Sequence, residues 1–219
     1  MKTGTRRRYR PNDFRPRPAV SRQARRWVAG GSFEATTHDV RDILRVAAGR
    51  NPTPSAVILG GRTLRSTPAS GARAGYGGHE RTNGSKVDMA VHTLGHRPAR
   101  TATPATAQDR DPVFALGAAV RDATGQSVTL ADVDRGDTGD PPAAAHGVAV
   151  EVVKAAAPKT GFVLLPGRWA DERSFGWAAR FRRLGRDDGR LAATRAGWHG
   201  VAFVGLMPHR LTLLTCAGS

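Results

Sequence analysis

The sequence predicts an α/β fold, with a mixed sheet, flanking helices and a small helical segment in front. Three observations lead to this prediction. Short apolar runs, some of them alternating with polar residues, have the pattern of strands. Apolar residues also recur at helical spacing near the start, in the middle and towards the end of the chain. The resulting order of strands, one helix, further strands and a long helix is typical of an α/β domain.

The beginning of the chain is predicted to be helical after a flexible arm. Residues 1–18 are rich in Arg and Pro and contain little to bury, which indicates a flexible basic arm. Helices are predicted over residues 20–29 and 33–48, with Ser32 as the cap of the second. Residues 19–50 hold both helices, and a helix-turn-helix and a plain helical hairpin fit them equally.

Residues 51–215 are predicted to form the α/β domain. Apolar runs predict five strands, over residues 56–59, 87–91, 128–133, 148–152 and 162–165. A helix is predicted between the second and third strands, over residues 113–123. Residues 71–84 are rich in Gly, Arg and polar residues and are predicted to be an exposed loop.

One stretch of this domain does not fit a strand. Residues 96–107 contain arginines and prolines where a returning strand would need alternating apolar residues. Among them are Arg97, Arg100 and Pro104. We therefore expect disorder or a poorly formed sheet edge there.

The last predicted helix carries one acid among arginines. It follows Pro166 and Gly167, and at roughly 100° per residue its apolar and polar positions separate onto two faces. The apolar face comprises Ala170, Trp177, Phe181 and Leu184, and the opposite face comprises Arg168, Glu172, Gly176, Ala179 and Arg183. Glu172 is thus predicted to point away from the core. An acid for phosphodiester chemistry and an ordinary ion pair between Glu172 and Arg168 both explain the pattern.

The charge of the chain favours a polyanionic partner. Lys and Arg total 34 against 18 Asp and Glu, which gives a formal net charge of +16. Most of the cations are arginines, the better bidentate ligands of phosphate, although a GC-rich genome also enriches arginine. Cys216 is the only cysteine, so a disulfide framework is excluded and a reducing cytoplasm is expected. No membrane span is predicted.

The region around Glu172 resembles a known signature. Its motif residues are Arg168, Trp169, Glu172, Arg173, Ser174, Phe175 and Trp177. This spacing is similar to the carboxy-terminal signature of bacterial insertion-sequence transposases of the DDE type, in the group related to insertion sequence five. The blocks ILGGRTLRSTPASGARAGY, NGSKVDMAVHTLGH, VDRGDTGD and HGVAVEVVK stand in the order of that family, and the resemblance runs from about residue 20 to about residue 211.

The resemblance implies an RNase H-like fold and a catalytic metal site. In that family, an aspartate at the end of the first strand, a second aspartate on a later strand and a glutamate on the long helix bind Mg²⁺ or Mn²⁺. The second aspartate corresponds to Asp134, with Asp132 as the nearest competitor, and the glutamate corresponds to Glu172. The implied activity is metal-dependent cleavage and strand transfer of double-stranded DNA at the terminal inverted repeats of an element.

The first aspartate of the pattern is absent. Gly60 stands in its place, so we expect little or no strand transfer from this chain. Asp171 precedes Glu172 by one residue, roughly 100° around the helix, and is therefore expected to point to another side. A catalytically inactive DNA-binding protein derived from a transposase is the alternative, and a homo-oligomer is left open.

Basic residues beside these motifs are the candidates for phosphate contacts. They are Arg62, Arg65, Lys86, Arg168, Arg173 and Arg183. Ordinary solvated surface charges explain the same residues.

Overall fold

A computed structural model shows a mixed α/β protein with a curled mixed sheet and flanking helices, in agreement with the predicted fold class. The structure describes residues 13–68, 70, 74–78, 81–97, 99–106, 110–134, 144–153, 168–187 and 192–217. The helices are α1 (Arg17–Ala29), α2 (Ser32–Ala47), α3 (Arg110–Ala123), α4 (Arg168–Ala179) and α5 (Ala192–Ala217). The strands are β1 (Ala56–Arg65), β2 (Gly75–Gly77), β3 (Thr82–Val91), β4 (Ala99–Pro104), β5 (Leu130–Asp134), β6 (Ala144–Ala145) and β7 (Val148–Val153).

The seven strands of the described residues form one sheet. Its strand order is β2-β3-β1-β5-β7-β6. β4 lies outside this order and, like β2, pairs with β3. β3 is antiparallel to β1, β2 and β4. β5 and β7 run parallel to β1, and β6 closes the far edge as an antiparallel strand. The antiparallel and parallel halves therefore meet at β1.

Alternating side chains of β1 serve two different cores. Val57 and Leu59 pack with Leu116 and Val120 of α3 on one face of the sheet. Ile58 packs on the other face, in the cluster that contains apolar residues of α2, α4 and α5. The two-residue period of a strand explains this division, because successive side chains point to opposite faces.

The helices α1 and α2 pack against α5. A Cβ at Gly197 would lie 2.7 Å from Val28 Cγ1, so this glycine permits the close approach of α1. The predicted cap of α2 is wrong, because Ser32 is already helical and makes no capping hydrogen bond. Gly31 precedes the helix instead with φ of 68°, a left-handed conformation that suits glycine.

The expectation of disorder in residues 96–107 is wrong for the described part of that stretch. β4 forms there and pairs with β3 from Ala90↔Ala99 to Ser85↔Pro104. Glu34 of α2 accounts for this result. Its carboxylate accepts hydrogen bonds from Arg97 (2.9 Å) and Arg100 (2.8 Å) and so compensates part of the charge of the arginines that made the stretch resemble a loop.

Other predictions differ from the structure in length. β1 continues through both glycines at positions 60 and 61, and β2 together with the start of β3 lies within the predicted loop over 71–84. α4 ends at Ala179, and a separate 3-10 turn, Arg182–Leu184, follows it. The strand predicted over residues 162–165 and the basic arm up to residue 12 lie outside the described residues.

Candidate functional site

Two parallel strands lie side by side where β5 ends. β1 and β5 pair as far as Leu59 and Val133. The next residues, Gly60 and Asp134, therefore occupy neighbouring positions at this edge. The carboxyl group of Asp134 lies outside the described side chains. The structure brings together the two strand positions that the resemblance assigns to the first and second acids.

The carboxyl group of Asp171 fills the space beside Gly60. A Cβ at residue 60 would lie 2.6 Å from Asp171 Oδ1 and closer still to Oδ2, far inside van der Waals contact. α4 therefore approaches β1 this closely only because residue 60 has no side chain. Asp171 points to a different side of α4 from Glu172, as its position one residue earlier predicts. This side, and not that of Glu172, is the one that reaches Gly60.

Glu172 lies on the exposed side of α4, as its helical position predicts. The buried side includes Ala170 and Ser174, and Ser174 Oγ donates a hydrogen bond to the carbonyl oxygen of Gly95 (2.7 Å). Ala170 and Phe175 pack into the core on the same side, so these contacts together set which face of α4 meets the sheet. Of the two consecutive acids, Asp171 is the one that reaches the space beside Gly60.

The segment after α4 is attached to the sheet through Asp187. This residue is fully buried, and its carboxylate accepts a hydrogen bond from Ser85 Oγ of β3. The Asp187 backbone N–H donates to the carbonyl oxygen of Arg65 at the end of β1 (2.8 Å). The segment is therefore held against the sheet by contacts within α4 and after it.

Further acids lie next to Asp134 in the sheet. Asp132 pairs in register with Ile58 of β1 and with Glu151 of β7. Burial raises the pKa of Asp132, and the neighbouring charge of Glu151 raises it further. This edge is therefore locally acidic within a chain of strongly positive net charge.

The predicted phosphate contacts of the sheet lie on both of its faces. Arg62 follows Gly60 by two residues in β1 and shares the face that α4 covers. Arg65 and Lys86 belong to the opposite face, because Lys86 pairs with Thr63 and β1 alternates its side chains. Of these three cations, only Arg62 lies on the same face as Gly60 and Asp171.

Arg173 stacks between two tryptophans. Its guanidinium lies 4.2 Å from the ring centre of Trp169 and 4.8 Å from that of Trp177. Arg210 of α5 lies 4.5 Å from the Trp177 ring, and Trp169 is 42 % exposed. Cation–π contact thus holds these arginines close to each other.

The two remaining candidates are at opposite ends of the α4 segment. Arg183 is half-buried in the 3-10 turn, and Arg168 begins α4 with its side chain outside those described. Among the side chains that the structure describes, no group of three or more His, Cys, Asp or Glu could hold a metal ion. None of the described helices is long and apolar enough to cross a membrane.

A buried histidine pair lies near this helix and was not predicted. His92 and His96 are 0 % and 2 % exposed, with ring centres 5.2 Å apart, and His96 stacks on Trp177. Burial lowers the pKa of His96 to about 3, and the charges of Arg210 and Arg173 contribute. Burial likewise lowers the pKa of His92, so both rings are neutral in the folded protein. Their spacing of four residues was the available signal.

Comparison with known proteins gives no family assignment: no protein-family model matches the chain, and no curated protein matches it.

Proposed function

We propose that this chain is a DDE-type insertion-sequence transposase that binds double-stranded DNA and cuts and joins it slowly. The observation that carries the proposal is the meeting of β1, β5 and α4. Gly60 and Asp134 each follow the last paired residues of their strands, and the first turn of α4 lies against Gly60. The motif spacing assigns the catalytic acids to these same three elements.

The strand order supports an RNase H-like core. Along the sheet, β4, β3 and β1 form an antiparallel meander, and β5 and β7 extend it with strands parallel to β1. The acid positions then fall where the parallel strands end, which is where ligands usually bind in open α/β sheets. The strand order supports the proposal independently of the sequence motifs.

The acid positions that the motif assigns to this edge supply the ligand type that a divalent cation takes. Carboxylate oxygens are the ligands that Mg²⁺ and Mn²⁺ prefer, and the space of a side chain at residue 60 is filled by the Asp171 carboxyl group. In this proposal Asp134 and Glu172 hold the metal. The bound metal would activate the attacking water or 3′ hydroxyl and stabilise the leaving oxygen. Gly60 contributes no ligand, which is the reason for the low rate.

Basic residues would hold the DNA in place. Arg62 shares the face of Gly60, and Arg173 is fixed by its two tryptophans. Both can contact phosphates that flank the scissile bond. Arg65 and Lys86 are directed to the other face of the sheet. They would serve a separate stretch of DNA.

Cleavage and joining of a labelled DNA duplex with Mg²⁺ or Mn²⁺ test this function. We expect slow nicking by the natural chain and none by Asp134→Asn, whereas the exposed-acid control Asp39→Asn retains the natural rate. An aspartate fits at position 60 of β1 only if the Asp171 carboxyl group is removed as well. The double variant Gly60→Asp, Asp171→Gly should gain about tenfold or more in rate, because small misplacements of catalytic groups cost this much. Equal rates for Asp134→Asn and the natural chain would refute the catalytic site.

DNA binding without catalysis is the second candidate. The net charge of +16 supports it, and so does the absence of a three-acid group among the described side chains. Binding to a labelled duplex should then weaken with salt along a linear log–log plot, with a slope near −0.9 per phosphate contact. Salt-dependent binding with no nicking by any variant, including the double variant, would favour this function over the first.

A further inference from the structure

We propose that Arg173 of α4 and Arg210 of α5 together form a binding site for a backbone phosphate of DNA. This inference rests on the proposed function, because DNA is the partner in both. It assigns a role to Arg210, which belongs to none of the motifs near Glu172. Both guanidiniums lie against the same tryptophan, Trp177, so the site joins the two helices.

The two arginines are held in place by aromatic contacts. The Arg173 guanidinium lies 4.8 Å from the ring centre of Trp177, and the Arg210 guanidinium lies 4.5 Å from it. Trp169 also contacts Arg173, and a Cβ at Gly95 would lie 3.1 Å from Arg173 Nη2. Cation–π contact uses no hydrogen-bond donor, so the N–H groups of both guanidiniums remain able to bind an acceptor.

The positive charge of this pair is not compensated in the part of the chain that the structure describes. There, Arg173 Nε is buried without a hydrogen-bond partner. Burial and the charge of Arg210 lower the pKa of Arg173, and burial lowers the pKa of Arg210. By contrast, Arg97 and Arg100 share the carboxylate of Glu34. Two cations held together without an anion repel each other, and a bound phosphate would relieve that repulsion.

The buried ring behind this site adds no counter-charge. His96 stacks on Trp177, and both of its ring nitrogens are without a hydrogen-bond partner among the described residues. Burial lowers the pKa of His96, and the charges of Arg210 and Arg173 lower it further, so the ring is neutral. We therefore expect the compensating anion to come from a ligand.

A DNA phosphate is the anion that best fits this site. Guanidiniums bind phosphate oxygens through several N–H donors at once. The pair is open to solvent, because Arg173, Trp177 and Arg210 are only half-buried. The net charge of +16 attracts a polyanion rather than a single small anion. The site would thus anchor the DNA backbone without reading its bases.

Fluorescence anisotropy of a labelled DNA duplex, measured without divalent cations over a series of salt concentrations, tests this inference independently of catalysis. The natural chain is compared with Arg210→Gln, Arg173→Gln, Arg210→Lys and the control Arg121→Gln. The control removes a cation from α3, which packs on the other face of the sheet. Circular dichroism checks that each variant is folded.

We expect Arg210→Gln to make the log–log salt slope shallower by about 0.9 and to weaken binding roughly tenfold near 0.1 M salt, because one phosphate contact is lost. Arg173→Gln should reduce the slope in the same way. Arg210→Lys should keep the slope, since the charge is retained, but bind more weakly because an ammonium lacks the planar fork. Arg121→Gln should bind as the natural chain does.

An unchanged slope in Arg210→Gln would overturn the inference, as would an equal reduction in Arg121→Gln, because net charge alone would then explain the effect. The outcome is separable from that of the proposed function. A reduced slope in Arg210→Gln, in a chain that never nicks DNA, supports the inference while removing the catalytic proposal. Nicking by the natural chain together with an unchanged slope in Arg210→Gln does the reverse.

Discussion

Replacement of Glu34 by Gln should destabilise the fold strongly, because its carboxylate is the partner of two buried arginines, one in β4 and one just before it. Glu34 Oε2 and Oε1 accept hydrogen bonds from Arg97 (2.9 Å) and Arg100 (2.8 Å). The side chains of these arginines are 2 % and 8 % exposed, and Arg97 also lies 5.4 Å from the ring centre of Phe203. Gln keeps the shape of Glu but removes the charge.

The size of the effect follows from burial. Removing one partner of a fully buried ion pair costs about 3–5 kcal/mol, because the other charge is left uncompensated. The Glu34 side chain is 39 % exposed, so solvent screens part of this interaction. We therefore expect Glu34→Gln to lower the free energy of unfolding by about 2–3 kcal/mol.

Urea denaturation followed by circular dichroism measures this change. Asp39→Asn removes an exposed acid from the same helix and should alter stability by less than about 0.5 kcal/mol. Acid pH supplies a second readout. Burial alone would raise the pKa of Glu34, but the charges of Arg97 and Arg100 lower it to about 2. Its stabilisation is therefore complete above the ordinary value of 4.5 and is lost as pH falls towards 2.

The natural chain should consequently lose its advantage over Glu34→Gln progressively as pH decreases from 4.5 towards 2. If the two chains unfold at the same urea concentration at pH 7, the buried cluster does not hold β4 in place and the reasoning is refuted.

Three further predictions concern close contacts and the buried histidines. Gly60→Ala should lower the free energy of unfolding by about 1–3 kcal/mol in urea denaturation, because the added Cβ overlaps the Asp171 carboxyl group. The second substitution Asp171→Gly should restore the lost stability. A Gly60→Ala chain as stable as the natural one would contradict the contact. Gly197→Ala should destabilise the packing of α1 on α5, because its Cβ would overlap Val28. A Cβ at Gly205 would have no heavy atom within 4 Å, so Gly205→Ala should stabilise α5 by up to about 1 kcal/mol. Equal effects of the two substitutions would argue against the contact between Gly197 and Val28. Because the pKa of His96 is lowered to about 3, its contribution to the free energy of unfolding is constant above pH 6.5. Below pH 6.5 the free energy of unfolding should decrease by up to about 1.4 kcal/mol per pH unit. His96→Phe should reduce this slope in acid unfolding curves, and an unchanged slope would exclude His96 as its source.

Strands with local signals were predictable from the sequence. In β3 the apolar residues Val87, Met89 and Val91 alternate with polar ones, and in the structure all three face one core. α2 was likewise predictable from its helical spacing. These signals depend only on residues within the same element, so a single sequence contains all the information needed.

β4 could not be predicted because its stability depends on a distant residue. Arg97 and Arg100 argue against a strand when only their neighbours are considered, and Glu34, more than sixty positions earlier, reverses that argument. Pairing across such a separation leaves no local pattern in either segment.

The position of Asp171 against Gly60 could not be predicted for a different reason. Helical spacing gives the angle between Asp171 and Glu172 but not the rotation of α4 relative to the sheet. That rotation is set by buried contacts such as the hydrogen bond from Ser174 to Gly95. The sequence therefore predicted that both acids lie on one helix, whereas the acid that reaches β1 could not be predicted.

The overlap between position 60 and the Asp171 carboxyl group also restricts how the chain can evolve. A substitution of Gly60 by aspartate, taken alone, would force two acids into one volume and would be selected against. Shortening of residue 171 must come first, or both changes must arise together. Descendants of this gene should therefore show the two positions covarying, and a lineage that keeps Asp171 should keep Gly60 as well.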